Sequence, residues 1–319
     1  MSHPTALRSG ALWLAVLGSL SLSGCGTLYT YFSKRQFPPV GEFINFDGQR
    51  IHYVARGSGI PVVFIHGSVG TVHDFLQSPV FPLVAQNYQA ITYDRSGFGY
   101  SSRNPHERMS PTDHAAVLAR LIAALKIEKP IVVGHSWGGA VALAFALKYP
   151  HLARGMVLLG PVAYGSGSWD SIRYWPMRLP ILGAVFRETF FVPLAGLLVP
   201  HFLGAAFDPA PVPEAYLKIF TSFALRPGHY LSEARDMPGL GYALAEMSKE
   251  YERIRIPVAL VCGEQDQSTP CSVHARPLHR AIPNSRLVIA AAAGHETHFS
   301  HADLVRDEIA RLALNERER

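Results

Sequence analysis

Residues 130–139 read P-I-V-V-G-H-S-W-G-G, and this stretch constrains the fold more than any other. Ile131, Val132 and Val133 form an apolar, β-branched run of the kind buried on both faces of a parallel sheet. Residues 140–148 (AVALAFALK) are strong helix formers. Ser136 therefore stands at the apex of a strand-to-helix turn, inside the pattern G-x-S-x-G. So sharp a turn strains the backbone at its apex and presses the flanking chain together, where any side chain would clash. Gly134 and Gly138 remove that clash. The hydroxyl is pushed out at the N-terminus of the following helix, where partial positive charge favours an oxyanion. Ser136 is the candidate nucleophile.

The chain on either side alternates strand and helix. A hairpin is expected at residues 42–46 and 50–55 around Asp47-Gly48, followed by buried strands at 61–65, 89–93, 131–133 and 155–159. Residues 111–125 carry apolar side chains at helical spacing behind Ser110, a candidate N-cap. The glycines of 94–101 (DRSGFGYS) lack the third glycine and downstream acid of a dinucleotide site and read as a tight turn. From residue 163 to 255 the alternation stops, and proline-broken, apolar helical pieces take over. They are expected to form a lid over a pocket, and residues 186–198 are too short and interrupted to span a membrane. Strands at 257–261 and 286–290, a helix at 272–281 and an amphipathic helix at 302–314 complete the pattern. The fold class is α/β, a mostly parallel sheet with helices on both faces. The core comprises residues 41–162 and 256–319, and the helical lid 163–255 lies between them.

A serine hydroxyl needs a base within reach, and that base needs an orienting acid. In this topology they come from later strand ends, in the order Ser, acid, His. Asp266 follows the strand after the lid, and His295 follows the last strand. Asp236 and Glu264 are fallback acids. His66, His135 and His298 are read as loop-shaping or packing residues. No metal is expected: His295, His298 and His301 are evenly spaced, but His295 and His298 fall one residue short of the H-E-x-x-H spacing.

These motifs together resemble the α/β-hydrolase superfamily. They are H-G at 66–67, Y-D-R-S-G-F-G-Y-S at 93–101, G-H-S-W-G-G at 134–139, G-E-Q-D at 263–266 and A-G-H at 293–295, and the resemblance covers about residues 42–314. It implies Ser136 as nucleophile, His295 as general base and acid, and Asp266 as its orienter, with no cofactor. Backbone N–H groups of Trp137 and Ser68 would form the oxyanion hole, Val69 being the alternative to Ser68. Serine at 136 argues against epoxide-hydrolase and dehalogenase chemistry, because an alkyl group on serine offers no carbonyl for water to attack. The expected function is hydrolysis of small-molecule esters with an apolar acyl or alcohol part. The alternatives are an amidase similar to proline iminopeptidases, with Glu188, Glu214 or Glu233 holding an ammonium, and a non-catalytic ligand-binding protein on the same scaffold.

At the N-terminus, Arg8, the apolar residues 11–22 and the box L-S-G-C at 22–25 resemble a bacterial lipoprotein signal. That reading gives a signal at 1–24, a lipidated Cys25, a tether at 25–40, and a body anchored at the cell envelope facing the periplasm or the outside, with Gly26 after the cysteine implying the outer membrane. Cys262 reads as an apolar filler at a strand end, so no bridge to Cys271 is expected. The formal net charge is +5 over 319 residues, with Lys and Arg scattered rather than clustered among aromatics. No nucleic-acid partner follows from that pattern.

Overall fold

The computed structural model describes residues 24–104, 106–165, 174, 178–179 and 181–314. The expected signal at 1–24 lies outside the described residues up to residue 23.

Eight strands form one sheet: β1 (Glu42–Phe46), β2 (Gln49–Arg56), β3 (Pro61–Ile65), β4 (Gln89–Tyr93), β5 (Ile131–His135), β6 (Gly155–Leu159), β7 (Val258–Gly263) and β8 (Ser285–Ala290). Their order is β1-β2-β4-β3-β5-β6-β7-β8, with β2 antiparallel to both neighbours and every later pairing parallel. Side chains of a strand alternate between faces, so β5 sends Val132 into one apolar layer and Ile131 and Val133 into the other. Both layers need cover, and helices supply it.

Helix α1 (Cys25–Gln36) precedes the sheet. Short helices α2 (His73–Leu76) and α3 (Val80–Val84) follow β3, α4 (Pro111–Ala124) precedes β5, and α5 (Trp137–Lys148) leaves it. Ser110 caps α4 as expected: its hydroxyl accepts from the Asp113 N–H at 3.2 Å, and the Asp113 carboxylate accepts from the Ser110 N–H at 2.8 Å. The lid carries α6 (Leu182–Thr189), α7 (Phe191–Phe207), α8 (Glu214–Ala224) and α9 (Pro227–Ser248). Then come α10 (Ala275–Ala281), α11 (Thr297–Ser300) and α12 (Ala302–Leu314). Proline breaks the lid less than expected, since α7 runs through Pro200 and α9 through Pro238. Among the described residues no single helix is long and apolar enough to cross a membrane.

Two expectations are revised. Where a tether was expected, the chain is helical and docks on the lid: the Ser33 hydroxyl donates to Ser222 O at 2.8 Å, and Arg226 Nε donates back to it at 2.8 Å. Cys262 and Cys271 are bridged, with a Cα–Cα distance of 5.9 Å, against the expectation of no bond. Cys262 is fully buried as a filler would be, but the turn after β7 folds Cys271 back onto the strand end. The bridge closes the loop that carries Asp266. Replacing both cysteines by alanine should cost about 2–3 kcal/mol of stability by loop-closure entropy, which urea unfolding measures.

Candidate active site

Ser136 occupies the elbow between β5 and α5 with φ 52° and ψ −117°, a region that costs a non-glycine residue energy and persists only where its surroundings enforce it. The glycines behave as the turn requires. A Cβ on Gly134 would stand 2.5 Å from Gly138 O, and one on Gly138 would stand 2.3 Å from Ile65 O. The turn is pinned from the next strand, because the Ser136 N–H donates to Leu159 O at 2.9 Å.

Asp266 and His295 meet at the same sheet edge, after β7 and β8. The Asp266 Oδ2 to His295 Nδ1 distance is 2.8 Å. Three further donors hold the carboxylate: the N–H groups of Ser268 and Thr269 reach Oδ1 at 2.9 and 2.8 Å, and the Thr269 hydroxyl reaches Oδ2 at 2.8 Å. Burial pushes the Asp266 pKa up, but the His295 bond and these donors outweigh it, so the group stays below its ordinary value. Burial likewise pushes the His295 pKa down, and the Asp266 bond and charge overcome that to raise it. Gly160 brings β6 against the pair, since a Cβ there would lie 2.9 Å from Asp266 Oδ2 and 3.0 Å from His295 Nδ1. No hydrogen bond joins Ser136 to His295 among the described residues; such contacts are often long or misaligned before substrate enters.

Ser136, His295, Gly67, Ser68, Val69 and Trp137 line one cavity of 1340 Å³, walled on the lid side by Phe191, Leu198, Phe202 and Leu203. The loop after β3 is held by His66 and by groups whose part in it sequence reading did not assign. Arg95, fully buried, donates to Gly67 O at 2.9 Å, with its guanidinium 4.2 Å from the Trp137 ring centroid and 4.3 Å from that of Phe98. His66 shapes the loop as expected, donating from Nδ1 to Gly67 O at 3.0 Å while Nε2 accepts from the Arg95 N–H at 2.9 Å. From the lid, His229 Nε2 donates to Val69 O at 2.8 Å, and Glu233 Oε2 accepts the Val69 N–H at 3.3 Å.

The fallback acids lie elsewhere. Asp236 takes two bonds from Arg103 at 2.9 and 2.8 Å and one from the Met109 N–H at 2.9 Å, which ties α9 to the core. Glu264 accepts a long bond from the Ala292 N–H, at 3.4 Å. None of the three glutamates considered for an ammonium lines the cavity: Glu188 accepts from the Thr27 N–H at 2.9 Å, Glu214 pairs with Lys218 at 2.6 Å, and Glu233 is fully buried under the loop.

One cluster went unrecognised in sequence. His135, Glu296 and His298 are buried, and their ligand atoms lie within 4.8 Å of one another, a set able to hold a metal ion. It is not the 295-298-301 set weighed from spacing, because His135 comes from β5 and no period links it to the last loop. Burial pushes the Glu296 pKa up to about 8, the opposing pull of His295 being smaller, and burial pushes His298 down to about 3. Glu296 thus binds its proton more tightly folded than unfolded, so its contribution to stability is present at low pH and is lost as pH rises towards 8. Glu296→Gln should therefore raise the melting temperature at pH 8.5 by a few degrees and leave it nearly unchanged at pH 5. Calorimetry at the two pH values checks this.

The chain resembles known proteins over most of its length. It is 28% identical over 261 residues to 2-hydroxy-6-oxo-2,4-heptadienoate hydrolase from Pseudomonas putida, covering 80% of this chain and 90% of that one. A meta-cleavage product hydrolase from Pseudomonas fluorescens IP01 superposes with a TM-score of 0.71 at 22% identity, over 87% of this chain and 98% of that chain. A membrane phospholipase A described as a bacterial virulence factor superposes with a TM-score of 0.68 at 17% identity, over 98% of this chain and 99% of that chain. At these identities the superpositions speak for the fold alone. Residues 60–302 match the family described as alpha/beta hydrolase fold, and the chain, a hydrolase, belongs to that family.

Proposed function

We propose that this hydrolase cleaves carboxylic esters with an apolar acyl or alcohol part through an acyl-enzyme. In this reading Ser136 attacks the ester carbonyl, His295 takes its proton and returns it to the leaving alcohol, and Asp266 holds the imidazole tautomer and stabilises the imidazolium. Water then enters under the same base and releases the acid. The single observation that carries the reading is the buried 2.8 Å pairing of Asp266 with His295 on the cavity that Ser136 shares. The oxyanion would be held by the N–H groups of Trp137 and Ser68. Ser68 is favoured over Val69 because the Val69 N–H already serves Glu233.

The choice of ester rests on the cavity lining. Its lid wall is apolar, and Asp74 and Glu296 line it close to the reacting groups, while Arg178 is the one Lys or Arg among its described lining residues. A 6-oxo-dienoate of the kind named for the Pseudomonas putida relative brings a carboxylate of its own, for which the described lining offers Arg178 as its one fixed cation, since burial raises the Asp74 pKa to about 7 and that of Glu296 to about 8 and leaves those neighbours largely uncharged. Cleavage of such an acid is the second reading, on the 28% identity to that relative. Glutamates turned away from the cavity weigh against an ammonium-binding amidase. An intact acid–imidazole pair weighs against a non-catalytic binder.

Placement at the cell envelope belongs to the same proposal. Cys25 is a free cysteine at the first position of α1, separated from the apolar residues 11–22 by Ser23 and Gly24, and acylation there would hold the body at a membrane. Mass spectrometry of the mature N-terminus tests this, and an unmodified Cys25 on a chain that still carries residues 1–24 would defeat it.

Turnover is tested with p-nitrophenyl esters of graded chain length beside 2-hydroxy-6-oxo-2,4-heptadienoate. The ester series should win, and Ser136→Ala should abolish labelling by a fluorophosphonate. Asp266→Asn should lower kcat by about 10⁴-fold, as loss of the correct tautomer does elsewhere. His295 must be neutral to act and its pKa is raised above 6.5, so kcat/KM should fall as pH drops through a value above 6.5. A profile flat from pH 8 to pH 5 would remove His295 as the base.

A further inference from the structure

The lid leaves an apolar face uncovered that the fold does not need. Helix α7 (FVPLAGLLVPHFLGAAF) carries no Asp, Glu, Lys or Arg in 17 residues, yet only Phe191, Leu203 and Phe207 of it are buried. Leu197 is 79% exposed, and Leu194, Leu198 and Phe202 stand out beside it, four residues apart along one face. Across the bend of 65° between α6 and α7, Ile181 and Leu182 are 78% and 70% exposed. A surface helix ordinarily turns charged and polar residues outward, so this face is built to be covered.

Three features say by what. The first is chain continuity: α1 packs against α6 and α7, turns its own Leu28, Tyr31 and Phe32 outward, and follows the apolar residues 11–22 after Ser23 and Gly24. The second is charge. A side cavity of 340 Å³ is lined by His106, Arg108, Arg178, Leu179 and Arg235, with no carboxylate among its described lining residues. Arg178 also lines the large cavity over Ser136, so the two spaces adjoin. Guanidinium groups gathered this way suit phosphate oxygens. The third is access: Leu198, Phe202 and Tyr242 are exposed and also line the large cavity, so its mouth opens on the apolar face. A protein partner seated there would close the mouth, whereas a bilayer would feed it.

We propose that α6, α7 and α1 dock this face on a phospholipid bilayer, with Arg108, Arg178 and Arg235 at the lipid phosphates, and that the cavity draws acyl esters from that bilayer. The helices lie on the membrane rather than across it: neither is long enough to span alone, and the pair, apolar enough together, is bent by 65° and holds Phe191, Leu203 and Phe207 against the body. The substrate half of the proposal rests on the ester-hydrolase reading, and the docking half does not.

The docking half is tested on the full-length chain with Cys25→Ala, which leaves an introduced thiol as the reactive one beside the Cys262–Cys271 bridge. Leu182→Cys and Leu197→Cys are labelled with an environment-sensitive fluorophore, with Arg120→Cys on α4 as control, and mixed with phosphatidylcholine–phosphatidylglycerol vesicles. Probes at 182 and 197 should shift to the blue and be quenched by spin-labelled lipid, and the probe at 120 should do neither. Equal behaviour of all three on vesicle-bound protein would overturn docking. So would probes at 182 and 197 that are already shielded without vesicles, since that assigns the face to a second copy. Arg108→Gln with Arg235→Gln should reduce the preference for phosphatidylglycerol, and an unchanged preference would remove the arginines from the proposal.

For the substrate half, Leu194→Asp with Leu197→Asp changes residues outside the cavity lining. Hydrolysis of soluble p-nitrophenyl butyrate should stay within about twofold, while hydrolysis of vesicle phospholipid should drop about tenfold or more. Equal loss on both substrates would overturn it. A wild-type chain inert to both would defeat the ester-hydrolase reading while leaving the probe experiment to decide docking.

Discussion

The structure depends on a backbone approach that tolerates no side chain. At the elbow, the space where Gly134 would carry a Cβ is taken by Gly138 O, and the space at Gly138 by Ile65 O. With those positions empty, β5 can end, reverse into α5 and leave Ser136 at φ 52° over the sheet edge. The strain is borne by neighbours that are themselves immobile: β5 is buried throughout, and α5 is buried along most of its length. A closely packed interior transmits such constraint without relaxing, which is why a costly apex can be held.

Around that point the lid is divided by function. Helix α9 is bound to the core through polar bonds from His229, Glu233 and Asp236, each to the loop after β3, the loop after β4 or the segment leading into α4. These groups are buried and their partners are backbone groups, Arg103 and His114, so moving α9 would strand several polar groups at once. Helices α6 and α7 carry the exposed apolar residues instead. One half of the lid holds the loop after β3, and the other walls the cavity.

Much of this was legible in residue patterns. The strands at 42–46 and 61–65, the helix at 302–314 and the Ser110 cap follow from alternation, periodicity and side-chain chemistry that act within a few residues. What escaped has a common cause. Arg95 sits between Phe98 and Trp137, Glu233 reaches Val69 across 164 positions, and His135 meets Glu296 and His298 from another strand. The Cys262–Cys271 bridge escaped for a related reason, since burial of Cys262 suited a filler equally well and the turn that returns Cys271 to it has no period.

By itself, then, the amino-acid order determined the α/β alternation and the glycine-flanked serine, because each is a local preference written in neighbouring residues, and the succession of serine, acid and histidine followed from placing that alternation's strand ends in chain order. Only the folded chain decided which carboxylate faces His295, which amide of the 67–70 loop is left free, and which lid residues meet solvent. Those depend on distances between segments remote in sequence, and close packing sets such distances jointly, not residue by residue.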